Sequence, residues 1–175
     1  GDWSSDVCSS ELADVIIVDG PAAGHALDLM RAPLQLKRAI GSGPISSQAD
    51  EVLAMLSDAH RCKVMMVTTP AMTPVSETAE AADDIVESVH VNLTPIVVNK
   101  CEALVPAIDV THLSAEMREA YQYARDKQSA QEDALAVLTD SLELPQLHLS
   151  RHRLNGAELI EAISGELTTA IAGLS

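Results

Sequence analysis

Four short stretches carry residue types that chemistry uses, and each follows a short apolar run. They are Asp19-Gly20-Pro21, Thr68-Thr69-Pro70, Asn99-Lys100 and Ser150-Arg151-His152. A carboxylate directly after four apolar residues, as Asp19 is after Val15 to Val18, suits magnesium. A hard cation of that kind is held directly or through a bound water and keeps much of its hydration shell. The same Asp also serves simply to open a turn before Gly20-Pro21. In open parallel sheets ligands bind beyond the carboxyl ends of the strands, so all four stretches are expected on one rim.

Positioning them falls to an alternation of strands and helices. The apolar runs Val15 to Val18, Val64 to Val67, Ile96 to Val98 and, more weakly, Leu144 to Leu149 are short and apolar on both faces. A parallel sheet covered by helices on each side requires such runs. Between them, Ile45, Ala49, Val52, Leu53 and Leu56 share one helical face, and Val75, Ala79, Ala82, Ile85, Val86 and Val89 share another. Pro74 is placed as a first helical residue behind a Thr73 cap. A closing amphipathic helix is entered through Asn155-Gly156 and carries Ile160, Ile163, Leu167, Ile171 and Leu174. Ser114 to Ser141 reads as a polar helix with a thin stripe of Met117, Tyr121, Ala124, Leu135 and Leu138, expected as a solvated layer or a lid. The order predicts an α/β fold of three layers, doubly wound around a mainly parallel sheet.

The chain has 175 residues, with 26 acidic against 11 basic side chains and a net charge of -15. Such a balance repels phosphate backbones and anionic membranes, so nucleic acid is not expected as a partner. No apolar run approaches the ~20 residues of a membrane span. Cys8, Cys62 and Cys101 show neither paired nor metal-ligand spacing, which points to a reducing, cytoplasmic setting. The first twelve residues hold the single Trp and fit no periodicity. They closely resemble a translated sequencing adapter, so residues 1–12 are expected to be a non-native leader and 13–175 the C-terminal part of one nucleotide-binding domain. Without Asp2, Asp6 and Glu11 the chain stays strongly acidic.

From Asp19 the sequence runs Asp-Gly-Pro-Ala-Ala-Gly-His and then Ala26 to Pro33. This resembles the Asp-Thr-Ala-Pro-Thr-Gly-His signature of the anion-transporting ATPase family, relatives of the arsenite-pump and tail-anchor-targeting ATPases, with its Leu-rich helix ending near Leu-Pro. Ala23 stands where the family has Thr. Similar pieces follow in the family's order: Val67 to Pro70, Pro74 to Thr78, Ile96 to Lys100, and Leu144 to Leu147 with Gly156. The resemblance implies a P-loop nucleotidase fold, ATP and magnesium as cofactors, and a nucleotide-switched dimer. Asp19 would be the magnesium-associated carboxylate opening the second switch. Gly20, Pro21 and Gly24 would form that switch, with Gly24 permitting the turn that lets it move, and His25 would begin the responding helix. For His25 a capping or half-buried role weighs equally. Asn99 corresponds to an adenine-reading Asn whose amide offers both a donor and an acceptor. Lys100 would stack its stem on the base or remain a solvated charge.

No Gly-x-x-x-x-Gly-Lys-Ser or Thr motif occurs, and Gly41-Ser42-Gly43-Pro44 reads as a link between helices. The phosphate loop and the first switch precede Asp19 in the family, so the chain is expected to be truncated at its N-terminus and inactive alone, its parent an ATP hydrolase. The alternative is a non-catalytic partner subunit of an active paralogue, and a third reading is a partition-type nucleotide-binding protein. The partner is expected to be a homo- or hetero-dimer mate of the same family, with a membrane protein as a further option. The 37 residues between His25 and Lys63 hold only two Met, too few for a Met-rich cargo groove.

Overall fold

The computed structural model describes residues 14–174; the leader assigned to residues 1–12 lies outside them. The elements follow as α1 (Ala23–Ile40), α2 (Pro44–Ser57), β1 (Val67–Thr68), α3 (Met72–Val89), β2 (Ile96–Cys101), α4 (Ala115–Ser141), β3 (Gln146–Ser150) and α5 (Gly156–Ala172). All three strands are parallel in the order β1-β2-β3, with Val97 opposite both Val67 and Leu147. The fold is therefore mixed α/β, five helices around a small parallel sheet, with the strand order running in one direction among the described residues.

Alternation along β2 separates two cores. Ile96 and Val98 face α3 and α4, where they are fully buried with Val75, Ala82, Ala134 and Leu138. Val97 faces the other way and joins Leu147 and Leu149 under Ile163, Leu167 and Ala170 of α5. Both faces of the sheet thus carry helices, as its two-sided apolar strands require. A third cluster, Ile85, Val89 and Val91 with Leu27, Met30, Leu53 and Leu56, fastens the α1–α2 hairpin to the outer side of α3.

Several expectations are corrected. Val15 to Val18 is not a strand: it pairs with nothing among the described residues, and all four side chains are more than half exposed. A run that is apolar on both faces gains from the extended state only when neighbouring strands and helices cover it, and none does so here. The strand expected at Val64 to Val67 shrinks to Val67–Thr68, preceded by a single bridge from Val64 to Leu93. At the β1 edge Val67 is 61% exposed although its partner Val97 is 5% exposed, because α5 covers only β2 and β3.

Helix ends shift too. Pro74 is the third residue of α3, and Ala71, not Thr73, precedes the helix. Any of the first four N–H groups lacks a partner inside a helix, so proline costs no hydrogen bond there. The helix after Asp19 does not end near Pro33 but runs through it to Ile40. On α5 only Ile163 and Leu167 of the expected stripe pack on the sheet, while Ile160, Ile171 and Leu174 are exposed. The stripe drawn through α4 divides: Leu138 is core, Leu135 packs against it, and Met117 is exposed. Helix α4 is a layer of the fold rather than a lid.

Candidate functional site

A cavity of about 320 Å³ opens where β1 and β2 end. Val67 and Thr68 from β1 with Thr69 just after it, Asn99 and Lys100 from β2, Pro74, Glu77 and Thr78 from α3, and Ala22 ahead of α1 all line it. Two of the four stretches picked out in the sequence meet here, joined by one residue of the Asp19 loop.

Its geometry begins with an irregular strand. Val98 pairs with His148 and Cys101 with Ser150, so β2 spends one residue more than β3 over the same span. The surplus is a bulge at Asn99 and Lys100, of the kind that re-aims side chains at sheet ends. Lys100 takes a φ of 63°, and the Lys100 N–H donates to Asn99 Oδ1 at 2.8 Å. The Asn99 acceptor is therefore shared with its own backbone, leaving Nδ2 to face a ligand. A left-handed backbone costs a β-carbon-bearing residue about 1–2 kcal/mol. Lys100→Gly is accordingly expected to raise the unfolding free energy by about 1 kcal/mol in urea titrations, with Lys100→Ala unchanged. Equal effects of the two would show that the bulge is unstrained.

Helix ends supply the second component. Ala22 is the residue preceding α1, and Pro74 lies in the first turn of α3, so the amino-terminal ends of two helices converge on the cavity. Neither first turn holds an acidic residue. Unpaired N–H groups and the positive end of each helix dipole favour an anion there, against the acidic balance of the whole chain.

Asp19, Gly20, Pro21, Gly24 and His25 do not line the cavity, although Ala22 between them does. Asp19 and His25 are both exposed, and the His25 N–H donates to Ala22 O in the first turn of α1. Gly24 is the second residue of that helix, without positive φ, and a β-carbon there would meet nothing within 4 Å. The conformational reason for a glycine at position 24 is thus absent from this state.

The β3 exit is tied to the β2 exit through the Arg151 N–H, which donates to Cys101 O at 2.8 Å. Glu102 Oε1 pairs with Arg151 at 3.0 Å and with Lys127 at 3.1 Å, joining β2, α4 and the loop after β3. His152 lies 3.4 Å from Glu166. The Ser150 N–H donates to Glu166, and this bond foremost holds the carboxyl below its ordinary range. Burial pushes the Cys101 thiol up, which disfavours the thiolate a soft ligand would need. Among the described residues no three His, Cys, Asp or Glu side chains cluster to hold a metal. Magnesium needs no such cage, because one carboxylate, waters and substrate phosphates complete its shell. Asp19, exposed and free of ion pairs among the described residues, fits that donor set.

Sequence reasoning overlooked the lining role of Ala22 and Val67 and gave no role to Glu77 or Thr78. It also overlooked Gln128 and Gln131, which hold the segment after β2. A buried glutamine in a polar helix leaves no periodic signal.

No family model matches the chain. Over 94 residues, 49% of this chain, it is 28% identical to a Halobacterium salinarum protein named as an arsenical pump-driving ATPase. The chain is similar to an ATPase of that kind, and it spans 15% of that relative's length. Among the described residues no helix is long and apolar enough to cross a membrane.

Proposed function

We propose that the cavity beyond β1 and β2 is the adenine side of an ATP site, in a protein related to the anion-transporting ATPases. The observation that carries this is the meeting of Asn99, Lys100 and two helix amino-terminal ends in one cavity. Residues 13–175 form part of a larger P-loop nucleotidase domain, and the small share of the relative that the chain spans supports placing the phosphate loop elsewhere in the parent protein. Asn99 Nδ2 donates to adenine N7, and Oδ1, which keeps one lone pair on the Lys100 N–H, accepts from the adenine amino group with the other. Val67 and Pro74 give the base an apolar bed, and the amino-terminal end of α1 by Ala22 meets the phosphates.

When bound, magnesium neutralises charge on the phosphates. Asp19 would hold it through a water, at the head of the loop that runs by Gly20 and Pro21 to Gly24 and His25 on α1. A change at the phosphates would reach α1 through this loop, which makes α1 the responding element of a nucleotide-switched dimer. The resemblance to the family supports dimerisation.

Titration of ATP and GTP into the protein tests the reading. Asn99→Ala is expected to weaken ATP about tenfold and GTP little, since a good amide-to-base pair discriminates by ~1–3 kcal/mol. Equal loss for the two nucleotides would remove Asn99 from base reading.

A further inference from the structure

Glu77 lines the same cavity on α3, exposed and without an ion pair or hydrogen bond among the described residues. We propose that Glu77 reads the sugar, its carboxylate accepting hydrogen bonds from the 2′- and 3′-hydroxyls of a ribonucleotide. This rests on the adenine-nucleotide reading of the cavity and deepens it.

The hydrogen-bond accounting of the cavity singles Glu77 out. Thr78 Oγ1 donates to Pro74 O at 2.7 Å, and Thr68 Oγ1 is directed at Thr69 O at 3.5 Å. Asn99 Oδ1 is engaged by the Lys100 N–H. What remains for a ligand is a set of donors, namely Asn99 Nδ2, the Thr69 hydroxyl, Lys100 Nζ and the N–H groups of the helix ends, with a second lone pair on Asn99 Oδ1 and one charged acceptor, Glu77. A nucleotide has the complementary inventory. Its ring nitrogens and phosphates accept, its adenine amino group donates toward Asn99 Oδ1, and its sugar diol donates two hydrogen bonds side by side. A carboxylate with two oxygens matches a vicinal diol, and bonds to a charged acceptor are about twice as strong as neutral ones.

Position and charge agree with this. Glu77 is the sixth residue of α3, beyond the first turn within which a carboxylate gains appreciably from the helix dipole. It also repels phosphate, so a bound polyphosphate runs toward Ala22 and α1 rather than toward α3. The base on Asn99, the sugar on Glu77 and the phosphates by Ala22 give the nucleotide one direction in the cavity.

Calorimetric titration of the full-length parent protein with ATP, 2′-deoxyATP and GTP, on wild type and Glu77→Gln, is the test. Wild type is expected to prefer ATP to 2′-deoxyATP about tenfold, the ratio that loss of one charge-assisted hydrogen bond produces. Glu77→Gln should bring that ratio to about one to three while leaving the preference for ATP over GTP intact. Circular-dichroism melts of Glu77→Gln should match wild type, since the side chain is exposed. A wild-type ratio near one, with ATP still preferred to GTP, overturns the sugar-reading role and leaves the nucleotide site standing. A full ratio retained by Glu77→Gln overturns it as well. Absence of binding by every nucleotide overturns both.

Discussion

Leu138→Ala is expected to lower the unfolding free energy by about 2–5 kcal/mol, the range for removing a fully buried leucine side chain. Leu138 is fully buried in the cluster where α3, β2 and α4 meet. Its neighbours Val75, Ile96 and Val98 are fully buried as well, so no mobile surface group is at hand to fill the void. Interiors are close-packed and relax only in part, which is why a cavity term adds to the lost transfer energy. The position also fastens α4, from which two glutamines hold the backbone next to the cavity. Val86→Ala is the control, because Val86 lies on α3 yet is 40% exposed. Urea denaturation of both variants decides the matter: a loss below about 1 kcal/mol for Leu138→Ala would mean that the α3–α4 core is not the centre of stability.

How far the sequence foretells this arrangement differs by element, for physical reasons. Helix α3 and strand β2 were legible because burial repeats along them with a clean period. Val75, Ala79, Ala82, Ile85 and Val89 are buried as the helical pattern demands, and Ile96 and Val98 as the strand pattern demands. Val15 to Val18 is as rich in Val and Ile as the run Ile96 to Val98 of β2 but is exposed, because strand formation depends on neighbours that composition does not encode. At the site, Asn99 and Lys100 were legible as a strand end. The left-handed φ of Lys100 was not, since lysine has no preference for that region and only the preceding Asn hints at a turn. Asp19 was legible as a carboxylate after an apolar run, yet Ala22, which has no reactive group, is the residue of its loop that lines the cavity. The mid-section of α4 was misread for a related reason. Its polar residues fit a solvated face, whereas Gln128 and Gln131 are buried and face a loop.

That loop leads to the second large effect. Gln131→Leu is expected to cost about 1–3 kcal/mol although it replaces a polar side chain in a polar helix by an apolar one. Gln131 Oε1 accepts the Glu102 N–H at 2.7 Å, and Gln128 Oε1 accepts the Val105 N–H at 2.8 Å. Both glutamines are buried, so a lost acceptor leaves a backbone N–H with no water to replace it. Further along the loop, Arg125 donates to Val105 O and the Tyr121 hydroxyl donates to Pro106 O. These contacts are exposed and contribute less each. The two buried amides therefore set the course of the chain as it leaves the Asn99-Lys100 bulge. Loosening them should release the Glu102 backbone, and with it the carboxylate that ties α4 to Arg151. Gln122→Leu serves as the control, because Gln122 bonds only to Asp126 on the exposed face of the same helix and should change stability by less than about 0.5 kcal/mol. Amide hydrogen exchange at Glu102 should accelerate in Gln131→Leu and stay slow in Gln122→Leu. Equal losses of stability in the two variants, with Glu102 still protected in both, would show that α4 is a solvated layer after all and that the bulge keeps its shape without support from α4.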